Sequence, residues 1–238
     1  MDANKIVPAL CAFQPGDWMP QYQGRSKPLH RLMPSTWRNG LTLPDIPVGD
    51  KAIAECAELL KKKNDEREAR KGEIKAQAPT PNDSVELVQR LLGNPMAPYK
   101  PASVELRALV LASLEAPIFA LKEDVNRGRP GRCCPAGLDP MFPSGPLHPG
   151  HPSYPSGHAT QAHAMAIVLG FVKPSLAGDF VKAAQRVAEN REIAGLHYAS
   201  DSAAGWALAK HLVGLLMLNQ EFSDLVKEAY DEWNPPRP

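Results

Sequence analysis

Where proline falls limits this chain more than any other feature. Proline fixes φ, lacks a backbone donor and clashes with the preceding turn, so it is excluded from the interior of long helices. The chain carries 25 prolines in 238 residues, about twice the usual ~5% share. Seven precede residue 48, eight lie between Pro130 and Pro155, and between Ala159 and Trp233 there is only Pro174. Residues 1–48 therefore read as an extended arm that packs Trp18, Tyr22 and Trp37 on the body. Residues 128–157 read as a loop, and the stretch after them is free to be helical.

Apolar spacing fills in the helices. From Asp50, a capping residue, Ile53, Cys56, Leu59 and Leu60 recur at helical intervals, and the polar continuation reaches about Lys75. A linker, Ala78-Pro79-Thr80-Pro81, follows. Asn82 to Ser84 offer caps before Val85, Val88 and Leu92, and Gly93 and Pro95 close that segment. A further pattern starts after Pro101 and runs through Leu106, Val110, Leu114, Ile118 and Leu121, with a kink expected at Pro117. Helices are expected over about 158–172, 175–194, 199–219 and 221–232. No segment alternates with period two, so the expected fold is all-α, a compact helical bundle. The expected organisation is an arm over residues 1–48 and one catalytic domain over residues 49–238.

Composition excludes several functions. A chain this long hides roughly 70–75% of its unfolded surface and needs no disulfides to hold a core. With 27 basic against 26 acidic side chains there is no clustered surplus for a nucleic-acid partner. The run Lys61 to Lys63 with Arg67, Arg70 and Lys71 is interleaved with Asp65, Glu66 and Glu68 and reads as a solvated helix face. No apolar run reaches the ~18 residues of a membrane span, so a soluble protein is expected. The first residues lack the apolar core of a signal peptide, which points to the cytoplasm, or to the periplasm for a chain trimmed of its leader. In a cytosolic chain Cys11, Cys56, Cys133 and Cys134 are expected to be free thiols.

Three clusters can carry chemistry. Lys122 precedes Arg129-Pro130 by almost two helical turns, so a helix continued to this point would aim both cations at one volume, with Arg127 between them. Two convergent cations suit an oxyanion. Ser156-Gly157-His158 opens a helix whose first-turn amides favour an anion; Ser156 adds a hydroxyl donor, and His158 can protonate a leaving oxygen. In the third cluster Arg191 is followed by His197 and Asp201. Four residues apart on one helical turn, Asp201 can hold His197 Nδ1–H and leave Nε2 as a nucleophile. Gly195 is expected to end the preceding helix and bring Arg191 and His197 together. In combination the clusters supply cations, an acid and an oriented nucleophile, the parts of an in-line phosphoryl transfer that needs no metal.

Lys122-x6-Arg129-Pro130, Pro155-Ser156-Gly157-His158 and Arg191-x5-His197-x3-Asp201 resemble the three signatures of the type 2 phosphatidic acid phosphatase (PAP2) superfamily. That family joins soluble bacterial acid phosphatases, lipid phosphatases and vanadium-dependent haloperoxidases. The resemblance covers about 80 residues, and the first 100 carry no signature. The family often has serine before the third arginine, where this chain has Asn190. The resemblance implies that Lys122, Arg129, Ser156, Gly157, His158, Arg191 and His197 bind phosphate or vanadate, with His197 as nucleophile or vanadate ligand, Asp201 orienting it and His158 as acid and base.

Chain length and the lack of a span favour a soluble phosphatase acting on small phosphate monoesters without a cofactor. The alternative is a vanadate-dependent haloperoxidase that oxidises bromide or another halide with peroxide. His151-Pro152-Ser153-Tyr154 resembles the corresponding segment of algal bromoperoxidases, where His151 would tune a halide or peroxide site; otherwise it is a loop histidine bonded to backbone. A zinc site from His148, His151, Cys133 and Cys134 is disfavoured by this loop. An arm with exposed aromatics also offers a route to a homodimer.

Overall fold

The computed structural model describes residues 11–77, 81–93, 99–134, 138–142 and 150–235. Among these residues eight α-helices run in order: α1 Asp50–Ala76, α2 Pro81–Arg90, α3 Pro101–Val125, α4 Pro130–Cys133, α5 Gly157–Val172, α6 Ala177–Ile193, α7 Ala199–Met217 and α8 Gln220–Trp233. Among the described residues no strand occurs, and an isolated bridge joins Ala12 to Arg127. The all-α reading holds. The long helices start and end within a few residues of the expected positions, and α3 runs on through Pro117.

The proline-poor stretch becomes the centre. Along α5, Ala162, Met165, Val168, Leu169 and Val172 are all buried, and α2, α3, α6, α7 and α8 pack around it. A helix apolar on every side belongs inside a bundle. Small residues let its start approach α7 closely. A Cβ on Gly205 would stand 2.9 Å from Ser156 O and 3.0 Å from Ala159 Cβ, so glycine there lets α7 press against the first turn of α5. Ser156 N–H in turn donates to Asp201 O at 3.1 Å.

The arm, described from residue 11 to residue 48, holds 3-10 turns at Pro15–Asp17 and Pro20–Tyr22 besides other turns, and no α-helix. Of the three aromatics named above, Trp37 is buried and Tyr22 stacks on Phe119 of α3 at 5.9 Å, whereas Trp18 packs edge-on against Phe13 within the arm at 6.1 Å.

Two expectations fail. The basic run on α1 is not simply a solvated face. Lys62 pairs with Glu192 at 2.6 Å and Arg70 with Glu189 at 3.1 Å, while Arg67 donates to Ile193 O and Asp139 O, both at 2.8 Å. These contacts form the seam between α1 and the end of α6, because long cationic side chains can cover a partner helix and still reach its acceptors. The cysteines are not free thiols either. Cys11 is bonded to Cys133 and Cys56 to Cys134. The adjacent pair does not bond to itself; each member reaches a different distant segment, the arm and α1.

Part of the proline-rich loop, residues 135–137 and 143–149, lies outside the described residues, and so does His148. Residues 150–155 are tied down by Met19 N–H to Gly150 O and Ser153 N–H to Arg127 O, both at 2.9 Å.

Candidate active site

Lys122 and Arg129 meet, though not along one helix face. α3 stops at Val125 and Asn126 turns the chain, with φ 48° and its N–H bonded to Lys122 O. Arg129 is extended (φ −78°, ψ 151°), as a residue preceding proline tends to be. Lys122 Nζ donates to the carbonyls of Pro152 (2.9 Å), Ser153 (3.3 Å) and Pro155 (2.6 Å). Arg129 holds the same segment: Nε donates to His151 O at 3.0 Å and Nη2 to His151 Nδ1 at 3.0 Å. Its Nη1 donates to Leu196 O at 2.7 Å and to His197 Nε2 at 2.9 Å.

The third cluster is also assembled by a loop. α6 ends at Ile193, and Gly195, with φ +72°, reverses the chain where a Cβ would lie 3.2 Å from Asp139 O. Arg191 and His197 thus approach from two elements, as expected. The pair His197 and Asp201 does not share a helical turn, because α7 begins only at Ala199 with Tyr198 as its N-cap. Asp201 instead folds back over the helix start, accepting from Tyr198 N–H at 3.0 Å and from His197 Nδ1 at 3.3 Å. Carboxylates at the third helical position commonly cap this way.

Ser156 caps α5, its Oγ accepting from Ala159 N–H at 3.4 Å, which leaves its hydroxyl proton to donate elsewhere. A Cβ on Gly157 would meet only Ile118 Cγ2, at 3.7 Å, so there is room beside this glycine at the start of α5. His158 Nε2 is buried without a hydrogen-bond partner, and so is Arg191 Nε, although Arg191 Nη2 donates to Ile74 O at 3.0 Å.

The family model of the PAP2 superfamily matches residues 106–223, the stretch that holds all three clusters. The chain belongs to the PAP2 superfamily. No curated protein matches the chain.

The electrostatics of this PAP2 site are lopsided. Among the described residues no carboxylate forms an ion pair with Lys122, Arg129 or Arg191, yet all three are buried. Burial pushes Arg129 and Arg191 down to about 10. Burial and then neighbouring Arg129 hold Lys122 well below its ordinary value. His197 is depressed by burial, then by Arg129 and Lys122; His158 is depressed by burial, then by Arg191, Arg129 and Lys122. Both imidazoles are therefore neutral at pH 7. Only Arg127 is matched by carboxylates, bonding Asp201 at 2.8 Å and Glu55 at 3.0 Å. Four cations against two carboxylates leave two positive charges unbalanced in a low-dielectric region.

Several residues are placed elsewhere or were missed. Asn190 points away from the site, donating to Glu73 at 2.8 Å and Gln77 at 3.0 Å in the α1–α6 seam. His163 donates to Ala159 O at 2.8 Å and packs on Trp206. The zinc arrangement fails because both of its cysteines are in disulfides, and among the described residues no group of three or more His, Cys, Asp or Glu side chains could hold a metal ion. Sequence reasoning singled out neither Glu55 nor a role for Arg127. Arg127 stands inside the first cluster and so carried a signal; Glu55, 72 positions away, carried none.

The charge surplus has a measurable consequence. Inorganic phosphate at a hundred times its dissociation constant is expected to stabilise the protein by about 2.7 kcal/mol, raising Tm by roughly 5–10 °C for a chain of this size. Sodium chloride at equal ionic strength should not do so. Matching shifts in the two salts would sink the idea of a specific oxyanion site.

Proposed function

We propose that this PAP2 protein is a phosphatase that hydrolyses small phosphate monoesters through a phosphohistidine on His197. The observation that carries this reading is the pair of unbalanced buried charges around two neutral imidazoles. A phosphate monoester dianion brings the matching charge and acceptors for Arg191 Nε, Gly157 and Ser156. His197 Nε2 faces Arg129 Nη1, so attack requires Arg129 to redirect that N–H to a phosphoryl oxygen. Nε2 then bonds to phosphorus as the P–O ester bond breaks, and the leaving oxygen takes a proton from His158. The bound dianion offsets the cations that depress His158 and so favours its protonated form. In the second step His158 takes a proton from water, the oxygen bonds to phosphorus, the N–P bond breaks and inorganic phosphate leaves. The two disulfides support a working place in an oxidising compartment.

One observation favours a second reading. His151 lies at the oxyanion site, bonded to Arg129 and enclosed by Tyr22 at 4.7 Å and Phe119 at 5.4 Å. Vanadate fits the same cage for the same reasons as phosphate, with His197 Nε2 and Arg191 Nε as unencumbered or displaceable partners. When bound it supplies activation of peroxide for halide oxidation. In this reading the chain binds and orients it through Lys122, Arg129 and Arg191, and His151 bounds the halide side.

A paired assay separates the two. The purified protein is expected to hydrolyse p-nitrophenyl phosphate and to be inhibited by vanadate. Bromide oxidation by the vanadate-loaded protein, with no ester hydrolysis, would transfer the assignment to the second reading.

A further inference from the structure

We propose that Glu55 and Arg127 are positioning residues for His197, acting through Asp201. The proposal rests on the phosphatase reading only in taking His197 and Asp201 as the working pair. Asp201 is fully buried and its two oxygens are held from opposite sides. Oδ2 accepts from His197 Nδ1 and Tyr198 N–H, while Oδ1 accepts from Arg127 Nη1 at 2.8 Å. With one oxygen clamped by Arg127, the carboxylate plane cannot rotate away from the imidazole.

Arg127 is itself held through both Nη atoms and one ring face, while its Nε is buried without a hydrogen-bond partner. Nη1 also donates to Ser200 Oγ at 2.7 Å and Nη2 to Glu55 Oε2 at 3.0 Å, and the guanidinium lies 3.7 Å from the centre of the Tyr198 ring. The other Glu55 oxygen accepts from Ser200 N–H at 2.7 Å, at the start of α7. Glu55 thus ties α1 both to the arginine and to the helix that carries Asp201. Each Nη atom of Arg127 thus serves a different carboxylate, which sets the guanidinium between Asp201 and Glu55. Because its charge is satisfied by two carboxylates, Arg127 adds little to anion binding, in contrast to Lys122, Arg129 and Arg191. Its loss should therefore slow the reaction without weakening the hold on phosphate.

The test uses the full chain with p-nitrophenyl phosphate, comparing Arg127→Gln, Arg127→Lys and Glu55→Gln with wild type. Removing an orienting partner of this kind costs about 10–100-fold. Arg127→Gln is expected to lower kcat by about that factor while KM and the inhibition constant of inorganic phosphate stay within roughly threefold. Arg127→Lys, which keeps the charge, should recover part of the loss. Glu55→Gln keeps the shape and one acceptor and should give a smaller loss of the same kind. It also carries the test if Arg127→Gln does not fold. Proton NMR gives a readout independent of turnover: the His197 Nδ1–H resonance, identified by its absence in His197→Gln, should shift or vanish in the Arg127 and Glu55 variants. An unchanged resonance, or a phosphate affinity that falls in step with kcat, would overturn the proposal. Absence of ester hydrolysis in wild type would instead refute the phosphatase reading, with the resonance still deciding the positioning role.

Discussion

Replacing His197 with alanine is expected to remove ester hydrolysis, by roughly 10⁴-fold or more, since residues that act as one unit lose most of their effect when the nucleophile goes. The variant should still bind inorganic phosphate. The three cations proposed to hold the anion come from α3, the residue before α4 and α6, and none depends on the imidazole for its position: Lys122 is anchored on three carbonyls, Arg191 on Ile74 O, and Arg129 on Leu196 O and His151 O. The phosphate-induced rise in Tm should therefore survive while turnover disappears. Near-normal hydrolysis by the alanine variant would remove His197 from the mechanism. Loss of both turnover and the Tm response would mean that the substitution had disrupted the cage.

The second large effect concerns stability. Cys11–Cys133 and Cys56–Cys134 close sequence separations of 122 and 78 residues. By loop-closure entropy each contributes about 4–5 kcal/mol, a large share of the 5–15 kcal/mol typical of a domain. Full reduction is expected to lower Tm by roughly 10 °C or more, and Cys133→Ser with Cys134→Ser should reproduce the loss without reductant. The measurement is a pair of thermal scans with and without dithiothreitol, beside a thiol titration of the unreduced, denatured protein. Four titratable thiols in that sample would refute the pairing.

How far these features could be read from the sequence depended on what each one rests on. The helices from residue 157 onward were legible because local apolar spacing and the scarcity of proline act over one or two turns. The convergence of Lys122, Arg129, His158, Arg191 and His197 was legible as chemistry, but the route was misread twice. The spacing from Lys122 to Arg129 suggested a continuous helix, yet Pro130 holds Arg129 extended and Asn126 breaks the helix first. The spacing from His197 to Asp201 suggested one helical turn, yet the same interval is used by a carboxylate folding back to cap α7. Both errors share a cause, since several backbone paths bring residues four to seven apart within contact. The cysteine pairing and Glu55 belong to another class. They depend on α1 and the arm lying against the segment after Arg129, a tertiary arrangement with no local imprint. Glu55 is one of 26 acidic residues and nothing near it in the chain sets it apart.

The neighbouring positions of Cys133 and Cys134 have one more consequence. Because these two residues receive Cys11 and Cys56, the segment from residue 12 to residue 55 has a covalent tether at each end to almost the same point. A protease cutting anywhere within it would leave both pieces attached, and the nicked chain would migrate as one species until reductant released the N-terminal fragment. The arm, with Tyr22 against His151, can thus suffer a broken peptide bond without being shed from the site it helps to enclose.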